Sequence, residues 1–177
     1  MLTISNIRYL MTMAVFFSAF FLSACQSSGG GPETENKDAS PYNTAYSVNF
    51  ETYAQGVESG FLIDRYALDA PTLFIIRTRN ELEQFWTKHA AVFFPQPALP
   101  QIDFSLDMLI AVVDTVEPTG GYRLSIEALD SSEGTVSVQV RKTRPGADAI
   151  VTDALTVPYH IITLAQSDME FVLHVRE

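Results

Sequence analysis

Three histidines, His89, His160 and His174, are the side chains best suited to acid–base work or metal ligation in this 177-residue chain. No two of them stand at ligand spacing. A zinc site needs close ligands such as H-x-x-x-H on a helix, or paired cysteines; the chain has neither and carries a single cysteine, Cys25. His89 falls on the apolar stripe of a predicted helix, where a hydrogen-bonded core imidazole is expected. His174 falls on the outward face of the last predicted strand. His160, in "VPYHII", is pinned at a strand start by Pro158 and Tyr159, and it is the imidazole whose setting suits a hydrolase or small-ligand site. No serine occupies a G-x-S-x-G elbow and no G-x-x-x-x-G-K phosphate loop occurs. Asp148 and Asp153 lack the ligand rhythm and closing glutamate of a calcium loop. These residues predict no catalytic constellation, no metal site and no cofactor.

Loops are the stronger candidates, because binding residues concentrate on loops held by a rigid scaffold. "EPTGGYRLSI" places Pro118, Thr119, Gly120, Gly121 and Tyr122 ahead of an alternating strand. Pro118 and Thr119 suit the centre of a type I turn, and Gly120 is expected to take the positive φ of a following bulge at a hairpin corner. "FFPQPALP" reads as a rigid connector whose Phe93 and Phe94 fold back into the core, and "TRPGADAIV" as a Pro-Gly turn.

The N-terminal end bears on location. Arg8 is followed by the apolar run "YLMTMAVFFSAFF" and then Leu22-Ser23-Ala24-Cys25. A run of roughly 13 residues is too short for a ~30 Å hydrocarbon core, but it suits a secretory signal over residues 1–24. The L-S-A-C sequence matches a bacterial lipobox, which makes Cys25 the expected lipidation site, with a stable anchor once two or more chains are attached. Gln26 after the cysteine favours the outer membrane over the inner. Residues 25–46 are rich in Gly, Ser, Pro and charge and lack apolar periodicity. They read as a flexible tether, ~20 residues whose ends lie on the order of 25 Å apart. Loss of residues 1–24 removes only Arg8 among the charged groups, so the net charge moves from −10 to −11. An acidic chain without a basic run excludes nucleic acid as a partner and leaves membrane attachment to the lipid.

Residues 47–177 remain as one domain. "SVNFETYAQG", "GFLIDRYAL" and "TLFIIRT" read as short strands. A helix is predicted over about 80–92, with Asn80 and Glu83 as a capping box and Leu82, Phe85, Trp86 and His89 on one face. "DMLIAVVDTV" is apolar on both faces and reads as a central strand covered on each side. "YRLSIEAL" turns Tyr122, Leu124, Ile126 and Ala128 one way, "TVSVQVRK" turns Val136, Val138 and Val140 inward, and "DSSEG" joins the two as a hairpin. "HIITLAQ" and "MEFVLHV" form a final pair joined by Ser167-Asp168, burying Met169, Phe171, Leu173 and Val175. Seven or eight strands and one helix without a βαβ rhythm predict an α+β domain, mainly antiparallel, with the helix packed on a sheet face.

The order "DFSLDMLIAVV", "PTGGYRLSI", "VSVQVRKTRPG" and "VPYHIITL" resembles the C-terminal domain of the PrcB family, and "LFIIRTRNELEQFWTKH" is similar to the helix start that often precedes it. The resemblance implies a non-enzymatic envelope lipoprotein, partner or stabiliser of a secreted subtilisin-like protease. It supplies no catalytic residues; its signature positions here are Thr119, Gly120, Gly121, Tyr122, Pro158, Tyr159 and His160. "EPTGGY" is also similar to the N-P-T-T-G-[YF] loop of chagasin-type cysteine-protease inhibitors. It departs from that loop at Glu117 and Gly120, and "TRPGA" lacks the tryptophan of that family's R-P-W. The expected function is a lipid-anchored protein-binding module of the outer membrane, facing the periplasm or the surface, with a protease or another envelope protein as partner. A loop-inserting inhibitor and a hydrolase or ligand binder around His160 are the alternatives.

Overall fold

The computed structural model describes residues 45–177. Cys25, the signal segment 1–24 and nearly all of the tether lie outside the described residues. The described strands are β1 (Tyr46–Ser47), β2 (Glu51–Gly56), β3 (Thr72–Ile76), β4 (Asp107–Val113), β5 (Arg123–Ser132), β6 (Thr135–Thr143), β7 (Tyr159–Ala165) and β8 (Glu170–Arg176), with one α-helix, α1 (Arg79–His89). The fold class is α+β, as predicted. Its strands divide into two four-stranded sheets, β1-β5-β6-β8 and β2-β7-β4-β3.

Alternation along the strands creates two cores, one on each side of the second sheet. Met108, Ile110, Val112, Ile162 and Leu164 face Leu124, Ile126, Leu129, Val136, Val138 and Val140 of the first sheet. Leu109, Ala111, Val113 and Ile161 point the other way and meet Phe61, Leu82 and Phe85. The continuous apolar run of β4 is thus explained: both of its faces are covered. The helix contributes Leu82, Phe85 and His89 as its buried face, with Trp86 half-buried beside them.

Several local expectations change. The helix is capped by Thr78, whose side chain accepts from Glu81 N while Glu81 returns to the Thr78 backbone. The box therefore begins two residues before Asn80, and the last turn tightens to a 3₁₀ turn over Ala90–Val92. "GFLIDRYAL" forms two 3₁₀ turns, Gly60–Leu62 and Asp64–Tyr66, rather than a strand. A bulge at Glu127 shifts the β5 register between Ile126 and Ala128, which hands the inward position from Ala128 to Leu129. The β5–β6 turn is two residues, Glu133 (φ 51°) and Gly134 (φ 83°), the double positive φ of a type I′ hairpin. β7 and β8 do not pair. They lie in different sheets, and β8 runs parallel to β6. Phe93 packs on the His89 ring, whereas Phe94 is fully exposed.

Candidate functional site

"EPTGGY" connects β4 of one sheet to β5 of the other, so it is a crossing between layers and not a hairpin corner. The crossing is tied to the segment before β7: Glu117 and Thr156 exchange backbone hydrogen bonds at 2.8 and 3.0 Å. Gly120 N donates to Thr152 O at 2.9 Å, and Thr156 Oγ1 donates to Thr119 O at 2.9 Å. The positive φ belongs to Gly121 (89°), not Gly120. Gly120 is held to glycine by space, because a Cβ there would lie 2.3 Å from Thr152 Oγ1. Gly120 thus meets a steric demand, whereas Gly121 meets a conformational and a steric one, since a Cβ there would also lie 2.9 Å from Pro145 Cβ and from Val151 Cγ1.

The seven signature positions do not converge on one pocket. Tyr159 and His160 are consecutive on β7 and so point to opposite faces. Tyr159 lies toward the helix, edge-on to His89 with ring centroids 4.5 Å apart. Burial, with the charge of Glu58 adding to it, raises its phenol pKa. His160 points between the sheets and is 3% exposed. Its Nδ1 accepts from Ile126 N at 2.8 Å, which leaves the proton on Nε2 to donate to Thr52 Oγ1 at 2.9 Å. Both ring nitrogens are thus engaged, and burial lowers the imidazole pKa. This imidazole caps an edge: Ile126 N turns away from β6, and the short β1 reaches only Asp130 and Ser131. Gln55 does the same for the neighbouring acceptor, its Nε2 donating to Leu124 O at 2.8 Å. Pro158 closes the group, its carbonyl accepting from Asp114 N at 2.8 Å.

His89 is engaged as well. Its Nδ1 is hydrogen-bonded to Ser59 Oγ at 3.0 Å, its ring stacks on Phe85 at 5.5 Å, and burial pulls its pKa down to about 4. His174 is exposed on β8, as expected.

A buried charge cluster beside the crossing was not foreseen. Lys142 Nζ lies 3.0 Å from Asp114 Oδ1 and 2.6 Å from Glu117 Oε1, and all three side chains are nearly or wholly enclosed. Thr115 adds donors to both carboxylates. Burial alone works against the charged amine. The hydrogen bonds to Glu117 and Asp114 outweigh it, so the Lys142 pKa stands above the ordinary lysine value. One signal did point here: with Val136, Val138 and Val140 inward, period two makes Lys142 the next inward residue. Among the described residues no group of three or more His, Cys, Asp or Glu could hold a metal ion.

What stays open at this corner is a cleft of about 380 Å³ between the end of β2 (Gln55, Gly56, Val57) and residues 121–124. Tyr122 and Arg123 line it together with Gln55, Val57 and Leu124. The buried titratable groups around it are paired to one another or to backbone. Tyr122 and Arg123 bring a phenol and a guanidinium to the cleft, chemistry that suits recognition of a peptide segment.

Residues 108–165 match the family model described as PrcB C-terminal. Neither curated proteins nor solved structures give a significant match to the chain. The match starts at Met108 and ends at Ala165, so it takes in β4, the glycine crossing, the β5–β6 hairpin and β7 with His160. Through this segment, which holds the crossing and both of its clamps, the chain is similar to the PrcB C-terminal family.

Proposed function

We propose that the protein is a non-enzymatic accessory module, anchored to the outer membrane through lipid on Cys25, which binds and stabilises an envelope or secreted protease. The observation that carries the reading is the cleft beside the crossing. Its walls are the last residues of β2 and the start of β5, held rigid by His160, Gln55 and the 152–156 strap. The family match over residues 108–165 supports the accessory role, and the lipobox and tether support presentation at a distance from the membrane.

The test is a pull-down of the full chain from detergent-solubilised envelope, comparing wild type with a Tyr122→Ala/Arg123→Glu variant. The expected result is recovery of a stoichiometric protease by wild type, and at least tenfold less by the variant at unchanged thermal stability. Failure of wild type to recover a protease, or equal recovery by the variant, overturns the reading. Slowing of papain-like enzymes by the purified chain would instead favour insertion of Pro118–Tyr122 as an inhibitor loop.

A further inference from the structure

We infer that the open edge of β8 is a self-association surface, pairing antiparallel with β8 of a second copy about an axis at Leu173. The hydrogen-bonding phase of that edge follows from the ladder. Val48 N donates to Leu129 O, so Leu129 turns its backbone away from β6. Its partner Val138 must then direct its own N–H and C=O to β8. Val138 stands opposite Leu173 in the parallel register, so Val172 and His174 answer it. The N–H and C=O groups of Phe171, Leu173 and Val175 are left on the outer edge, where no described residue bonds to them. Val172 and Val175 are 37% and 40% exposed there, without the proline or bulge that commonly protects an edge strand.

The sequence of the strand fits itself when reversed. Centred on Leu173, the antiparallel register sets Phe171 opposite Val175 of the second copy as a hydrogen-bonded pair, with Leu173 opposite its own counterpart. Val172 then meets His174, and Glu170 meets Arg176 at both ends. The charges favour this register beyond simple alternation. Glu127 already receives both Arg141 and Arg176, so that face carries two guanidiniums on one carboxylate. Glu170 is exposed and has no ion pair among the described residues. A second copy places Glu170 beside the surplus cation, twice by symmetry. A single strand pair is a small interface, so the dimer is weak and depends on concentration.

The experiment is sedimentation of the full chain in detergent across a concentration series, with a charge-reversal cycle. Wild type should dimerise. Glu170→Arg and Arg176→Glu should each weaken dimerisation at least tenfold, and the double variant should restore it, since both charge pairs between the copies are re-formed with reversed sign. Thermal melting of each variant checks that the monomer remains folded. A chain that stays monomeric throughout, or a dimer that the single reversals leave unchanged, overturns the proposal. So does a double variant no better than the singles.

Discussion

Lys142 stands at the position where the inward valine row of β6 would continue, and its charge is tolerated there because Asp114 and Glu117 lie within hydrogen-bond reach. Removing one member of a buried ionic group is far costlier than replacing the whole group, because the remaining charges are left without a partner in a poorly solvated site. Lys142→Met should therefore destabilise the fold by about 3–5 kcal/mol, read from urea unfolding at pH 7. Adding Asp114→Asn and Glu117→Gln to that variant should recover most of the loss. A single variant within ~0.5 kcal/mol of wild type, the range of ordinary surface changes, would show that the amine is solvated rather than clamped. The phase of β6 makes the lysine legible in the sequence. Its partners are not legible, since Asp114 and Glu117 come from the far sheet and its crossing. The glycine pair shows the same limit. Sequence marks Gly120 and Gly121 as permissive, but only the structure shows that Thr152 crowds the first while the second combines a positive φ with crowding by Pro145 and Val151.

Helix α1 carries two overlapping capping signatures, Thr78 with Glu81 and Asn80 with Glu83, and the chain uses the first. The choice is explained by what lies upstream. Thr78 lies two residues beyond the end of β3 and has extended φ and ψ, the backbone an N-cap requires. Asn80 is already inside the first turn, and Glu83 is drawn into an i,i+4 pair with Arg79. Thr78→Ala should thus cost ~1 kcal/mol in thermal or urea unfolding, whereas Asn80→Ala should be neutral or slightly stabilising. The reverse ranking would place the cap at Asn80. Strand faces were readable at this scale because period two survives in sequence, as in Val136, Val138 and Val140. Partners were not. β8 shows the same alternation whether it pairs antiparallel with β7 or parallel with β6. What sends it to the other sheet is a tertiary clamp: Arg77 donates from Nε to Ser167 O and from Nη2 to Met169 O, both at 2.8 Å, and covers the Phe171 ring. No local propensity encodes that contact.

Across the domain, β7 lies between two cores, and each core holds one buried imidazole. His160 bridges the sheets from β7 itself, and His89 fills the helix layer against Tyr159. That arrangement ties global stability to pH. Burial holds the folded-state pKa of His89 at about 4, against 6.5 when unfolded, and lowers that of His160 as well. The unfolded chain therefore binds more protons than the folded one below pH 6.5, and stability must fall as the pH falls through that window. His89 alone accounts for a loss of about 2 kcal/mol by pH 5, its folded-state pKa being about 4, with the full effect confined to more acid conditions. Urea midpoints measured from pH 7.5 to pH 5 should decline steadily, before the carboxylates begin to contribute. A His89→Gln variant should lose most of that decline while starting from a lower stability at pH 7.5. His160→Gln should flatten the remainder and weaken the join between Thr52 and Ile126. An equal slope in wild type and His89→Gln would mean that the helix-layer imidazole is open to solvent. The two-layer packing that withdraws both rings from water would then have to be reconsidered.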